Sequence, residues 1–146
     1  MVAAPTTIET PRLLLRQPQL ADAQAYLEIV QDPVVLKSLM QEHPKLGIEG
    51  AEGNLKRLRR QWDTHGYGQW SVIERATGQI IGCVGPQFPD GWPAVEMAWM
   101  IRRDRWGHGF ATEAVQHALA WTWRATRLDH LISMIAPGNL AVSNRR

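Results

Sequence analysis

Two glycines one residue apart, Gly107 and Gly109, join an alternating stretch to a long helical one. No other feature limits the folds open to this chain as much. Ala94 to Ile101 alternates with the two-residue rhythm of a β-strand. Gly109 to Thr126 is the clearest helix in the sequence. His130 to Ala136 reads as a further strand, ended by Pro137-Gly138. A helix that crosses between two strands predicts that those strands lie parallel. The junction itself has chemical meaning. Glycine lets the backbone bend tightly and approach a ligand closely. The first turn of a helix leaves N–H groups unpaired. Together they make a site for an anion such as a pyrophosphate, and Arg102, Arg103 and Arg105 stand ready to add positive charge.

The rest of the chain supplies more strands and helices. Residues 1–7 read as a loose tail. Arg12 to Arg16, with Pro11 at its entry, reads as a first strand, and Ala21 to Gln31 as a helix with Asp22 near its start. Asp32-Pro33 has the form of a cap followed by a proline in the first turn of a short second helix. Residues 41–50 read as a loop. Ala51 to Thr64 predicts a helix with Leu55, Leu58 and Trp62 on one side, ended by Gly66 and Gly68. Gln69 to Glu74 and Gln79 to Val84 predict an antiparallel hairpin turned at Ala76-Thr77-Gly78. Residues 85–93, with two glycines and three prolines, read as a loop.

Composition excludes several classes of function. A net charge of +2 is too weak to argue for nucleic acid. The cluster Lys56, Arg57, Arg59 and Arg60 reads as the wet face of a helix. Cys83 is the only cysteine, so no intrachain disulfide forms, and its apolar setting predicts a buried thiol. The histidines show no metal-ligand spacing. No apolar run is long enough to span a membrane, and Met1 to Thr7 lacks the pattern of a signal peptide. A cytoplasmic protein without metal is expected. The seven tryptophans either fill a core or line a cleft for large flat or apolar ligands.

A glycine turn before a helix is often only a turn. This one is neither a Walker A loop, because the GKS or GKT ending is missing, nor the three-glycine dinucleotide fingerprint. Its context is more specific. Val95-Glu96-Met97-Ala98-Trp99-Met100-Ile101, followed by Trp106-Gly107-His108-Gly109-Phe110-Ala111-Thr112-Glu113-Ala114, closely resembles the core of the GNAT acetyltransferases. The branch it is most similar to includes the ribosomal-protein N-terminal acetyltransferases. Ile8 to Arg16 looks like that branch's opening strand, and Ala21-Asp22-Ala23 and Asp32-Pro33-Val34 like the starts of its first two helices. Thr77 to Gly82 resembles its hairpin, and Ala136 to Asn139 the turn after its fifth strand. Trp106 stands where the family motif usually has Gln or Arg, a departure common in this branch. Gly109 and Ala111 match.

The resemblance implies an α/β fold: a mixed, mostly antiparallel sheet with one parallel, splayed strand pair, flanked by helices, as a single domain over residues 1–146. It implies that backbone amides from Gly107 through His108, Gly109, Phe110 and Ala111 to Thr112, beside Trp106, hold the pyrophosphate of acetyl-CoA. The pantetheine would lie in the gap between Trp99, Met100 and Ile101 and the strand His130 to Ala136, adding to the sheet through backbone hydrogen bonds. Asn139 matches a family asparagine near the cofactor and is equally readable as a plain turn residue; Ser143 is a candidate polar group near the leaving thiol.

Alternation places Ala94, Glu96, Ala98 and Met100 on one strand face. A carboxylate between two alanines has room around it, so Glu96 is the expected general base for a primary amine, and a solvated strand glutamate is the bland alternative. Glu113 reads as a brace for the turn and His108 as an exposed turn residue. Tyr67 and Trp70 are candidates for an acceptor cleft, with core packing the better reading for Trp70.

The expected activity is acetyl transfer from acetyl-CoA to a primary amine, a protein N-terminus or a small molecule, by direct attack. A non-catalytic acetyl-CoA-binding module and a nucleotide-phosphate binder are the alternatives. The family sheet normally continues with a helix and two more strands, so the sequence predicts a domain truncated at its C-terminus. It also predicts that His130 to Ala136 is left as an open edge through which a homodimer can form.

Overall fold

The computed structural model describes residues 6–39, 47–88, 91–135 and 139–144, with the backbone alone described for 134–135 and 139–144. A seven-stranded sheet runs in chain order through β1 (Ile8–Glu9), β2 (Leu13–Arg16), β3 (Trp70–Glu74), β4 (Ile80–Gln87), β5 (Glu96–Ile101), β6 (His130–Ile135) and β7 (Asn139–Asn144). All neighbours are antiparallel except β5 and β6, which are parallel. This is the mixed, mostly antiparallel sheet expected.

Among the described residues four α-helices flank it: α1 (Ala23–Val30), α2 (Pro33–Ser38), α3 (Ile48–His65) and α4 (Phe110–Ala125). The Asp32 carboxylate accepts from the Val34 amide at 2.9 Å, so the cap read from Asp32-Pro33 is present. Gly66 closes α3 in the left-handed conformation, its N–H donating to Trp62.

The core has two parts. On the α4 side, Leu13, Leu15, Val72, Val84, Val95 and Met97 meet Phe110, Ala114, Ala118 and Trp121. Trp62, Trp70 and Trp121 lie edge to face, with centroids 5.0–5.6 Å apart, so Trp70 belongs to the core and not to a cleft. On the other side, α1 and α3 cover Cys83 and Met100. There Asp22, almost fully buried, takes a bidentate ion pair from Arg16 and a 2.7 Å hydrogen bond from Ser71 Oγ, which also meets Tyr26 Oη at 2.8 Å.

Several boundaries differ from the sequence reading. Helix α3 begins at Ile48 rather than Ala51, and the opening strand is a small hairpin of β1 and β2. Strand β4 runs on to Gln87 through the segment read as a loop. Pro86 is tolerated because the strand's alternation aims its nitrogen at the β3 side, where the register with β3 has already ended at Trp70↔Val84. Gly85, at φ 151°, is required: a Cβ there would stand 2.3 Å from the carbonyl oxygen of Gly68.

A larger correction concerns β6. Asn139–Asn144 returns antiparallel along it, from Ile135↔Asn139 to His130↔Asn144. The strand expected to be an open edge is therefore covered. The turn reading assigned to Ala136–Gly138 lies outside the described residues. Among the described residues, no helix is long and apolar enough to cross a membrane, and no cluster of three or more His, Cys, Asp or Glu could hold a metal.

Candidate active site

The glycine turn sits where the sequence places it. Gly107 and Gly109 both adopt the left-handed conformation, at φ 78° and 79°, and Gly109 is the N-cap of α4. A Cβ at Gly109 would meet nothing closer than 3.5 Å, so glycine is needed for the backbone angle and not for space. Gly109 offers no capping side chain, which leaves the first amides of α4 for another acceptor.

Glu113 holds this turn from behind. Its carboxylate accepts from Thr10 Oγ1 at 2.6 Å, from the Arg12 amide at 2.9 Å and from Arg12 Nε at 2.7 Å. Arg12 also donates to the carbonyl of His108 and lies 4.2 Å over the Phe110 ring. Burial opposes the charge on Glu113, but the hydrogen bonds from Thr10 and Arg12 outweigh it and hold the carboxyl below its usual range. The brace read from sequence is thus built from the opposite end of the chain. His108 is exposed, as expected.

The arginines beside the turn are less available than the sequence implied. Arg102 pairs with Asp104 at 3.1 Å and Arg105 with Glu74 at 3.1 Å, while Arg103 stacks over Trp106 and approaches Asp32. Their charges are largely matched within the protein. Helix dipole and backbone amides are left as the main attraction for an anion.

Strands β5 and β6 meet at a single register pair, Glu96↔Ile132, beside which the Ile132 amide donates to the Val95 carbonyl at 3.0 Å. Beyond it β5 pairs only with β4 as far as Ile101. Since Val95 faces β6, alternation aims the backbone groups of Met97, Trp99 and Ile101 into the same gap. The Ile101 carbonyl is taken by Trp106 Nε1 at 2.7 Å. Met100 turns its backbone toward Cys83 on β4 and contributes a buried side chain instead. The strand pair therefore splays as the resemblance implied. Trp99 and Trp106 flank the opening, 39% and 40% exposed.

From this gap a cavity of about 800 Å³ runs between the turn and the α1–α3 face of the sheet. Gly107, Gly109, Phe110, Ala111 and Thr112 are part of its lining, and so are Tyr26, Gln87, Trp92 and Glu96. Glu96 is buried, 7% exposed, and its Oε1 accepts from Gln87 Nε2 at 2.7 Å. The solvated-glutamate alternative does not survive this burial. Cys83 also borders the cavity, with its thiol pushed up to about 12 by burial. Asn139 and Ser143 lie in β7, where only the backbone is described. Tyr67 is half-buried, stacked on His65 and away from the cavity wall.

Sequence reasoning missed Gln87, which was hidden in a segment read as loop. It also missed Tyr26, Asn54 and Arg57, which reach the cavity from α1 and α3. Their helical spacing placed them correctly on helices but gave no sign of what lies opposite.

Comparison with known proteins agrees with this architecture. The family described as the acetyltransferase (GNAT) domain matches residues 12–144. The chain is 28% identical over 134 residues to the uncharacterised N-acetyltransferase p20 of Bacillus licheniformis, covering 91% of this chain and 75% of that one. The crystal structure of an acetyltransferase from Agrobacterium tumefaciens superposes with a TM-score of 0.79 at 24% identity, over 94% of this chain and 78% of that one. The ribosomal-protein-S5-alanine acetyltransferase of Vibrio fischeri superposes with a TM-score of 0.75 at 17% identity, over 92% and 76%; at such identities both structures speak to fold alone. With the family matched along nearly the whole chain and its sheet, splayed strands and glycine turn all in place, the protein belongs to the GNAT acetyltransferases.

Proposed function

We propose that the protein transfers acetyl from acetyl-CoA to a primary amine by direct attack. The observation that carries this reading is the continuity of one cavity from the unpaired amides at the start of α4, past the open edge of β5, to the buried Glu96. The amides from Gly107 to Thr112 hold the pyrophosphate. The backbone of Trp99 and its neighbours in the gap receives the pantetheine as an added strand. An N–H on this edge of β5 polarises the thioester carbonyl.

The amine must be neutral to attack. Glu96 takes its proton, directly or through a water, with Gln87 fixing the carboxylate's orientation. The amine nitrogen forms a bond to the carbonyl carbon, the carbon–sulfur bond breaks, and coenzyme A leaves as the thiolate, which is then protonated. No acyl-enzyme is needed, and the one cysteine at the cavity is held as a thiol.

Two measurements test this. Acetyl-CoA should raise the unfolding temperature, and thiol release should appear when amines from a panel are added. Stabilisation without thiol release from any amine would favour a binding module. Stabilisation by ATP equal to that by coenzyme A would favour a nucleotide-phosphate binder.

A further inference from the structure

Two arginines line the cavity among the described residues, Arg57 and Arg105. Arg105 is matched by Glu74. Arg57 is not: among the described residues no carboxylate lies within ion-pair distance of it, and its guanidinium donates to the neutral Asn54 Oδ1 at 2.7 Å. The sequence reading placed Arg57 on a wet helical face with Lys56, Arg59 and Arg60. The structure separates it from them. Those three are exposed, whereas Arg57 is partly buried, one helical turn beyond Asn54 on the side of α3 that faces the cavity.

A cation drawn out of water without a counter-charge is costly, and an incoming anion relieves that cost. Burial lowers the pKa of Arg57; Cys83 opposes this only as a thiolate, a form its own burial suppresses near neutral pH, and Arg60 lowers the pKa further. We propose that Arg57, oriented by Asn54, recognises a carboxylate on the acceptor, so that the substrate is an amine that carries a carboxylate at a distance. This rests on the acetyl-transfer reading above and deepens it.

Geometry sets the spacing. Arg57 and Cys83 line the same cavity, Leu58 beside Arg57 packs in one cluster with Cys83 and Met100, and Cys83 pairs with Met100 on β5. Glu96 is four residues further back, roughly 13 Å along the strand. The amine and the carboxylate therefore belong on opposite ends of the acceptor, several bonds apart, as in a dipeptide or an ω-amino acid. A planar guanidinium fork suits a carboxylate.

The test compares matched acceptors: 6-aminohexanoate against 6-aminohexanamide, and a dipeptide against its C-terminal amide. The wild-type protein should prefer the acid in kcat/KM by about 10–100-fold, the worth of a charge-assisted hydrogen-bond pair. In Arg57→Gln the acid-to-amide ratio should fall to about one through KM, with the KM for acetyl-CoA unmoved. Arg57→Lys should fall between. Equal use of acid and amide by the wild type, which requires no variant, overturns the proposal, as does a ratio unchanged in Arg57→Gln. If amines are acetylated without preference, only the role of Arg57 falls. If no amine is acetylated at all, the acetyl-transfer reading falls and this proposal with it.

Discussion

At the glycine turn the cavity is built from backbone, with nearby side-chain charges matched to one another; the rest of its lining is built from side chains drawn from separate elements. At the turn, Arg12 is satisfied by Glu113, Arg102 by Asp104 and Arg105 by Glu74. What faces the cavity there is the start of α4 itself. Elsewhere in the lining, Tyr26 comes from α1, Arg57 from α3, Gln87 from β4 and Glu96 from β5. A backbone site binds whatever anion fits its amides and does not depend on side-chain identity beyond glycine. A side-chain site is specific and can be retuned by single substitutions. On the proposed acetyl-transfer reading, the division implies that binding of the co-substrate and choice of acceptor are separable.

The largest effect that breaks this comparison is expected from Gly109→Val. A β-branched residue at φ 79° is strained, and the turn should lose its shape. Coenzyme A at a hundredfold excess over its dissociation constant should stabilise the wild type by about 2–3 kcal/mol, and the variant not at all. Unchanged coenzyme A affinity in Gly109→Val would remove the turn from the binding site.

Asp22 offers a complementary break on the α1–α3 side, one that leaves co-substrate binding in place. It anchors Tyr26 through Ser71 and holds Arg16. Burial works against its charge, yet the hydrogen bonds from Arg16, the Gln19 amide and Ser71 prevail, and its pKa is lowered. A carboxyl with a depressed folded pKa stabilises above its unfolded value, about 3.9, and loses that contribution as pH falls through the folded value. Asp22→Asn should cost about 3 kcal/mol at neutral pH and flatten the acid limb of stability against pH. Coenzyme A affinity should be preserved. An acid limb identical to wild type would show that the pair contributes nothing.

Cys83 gives the smallest effect. It borders the cavity but titrates near 12, so at pH 7.5 it should react with iodoacetamide at least about tenfold more slowly than a free thiol. Fast labelling blocked by an acceptor would instead mark a reactive acceptor end.

The same division explains what was legible in the sequence. The turn end is local: Trp106 to Thr112 is contiguous, and positive-φ glycines before a helix advertise themselves. The alternation of Ala94 to Ile101 also located Glu96 on the strand. The rest of the lining is assembled from residues as far apart as Tyr26 and Glu96, and nothing in their spacing predicts that they border one cavity. Gln87 was lost for a further reason. Gly85 and Pro86 have the composition of a loop, but one permits a close backbone approach and the other lies beyond the end of the β3 register. The cover over β6 was missed because Asn139 was assigned by likeness to the end of a turn and the residues after it were given no element.

The central claim is that one cavity joins co-substrate binding at the turn to proton removal at Glu96. Single-turnover acetyl transfer to an amine, measured beside coenzyme A binding in wild type and Glu96→Gln, tests it most directly. The account predicts a loss of about 10²–10⁴-fold in the transfer rate with coenzyme A affinity unchanged. Transfer at the wild-type rate across pH in Glu96→Gln would contradict it and move the base elsewhere in the cavity.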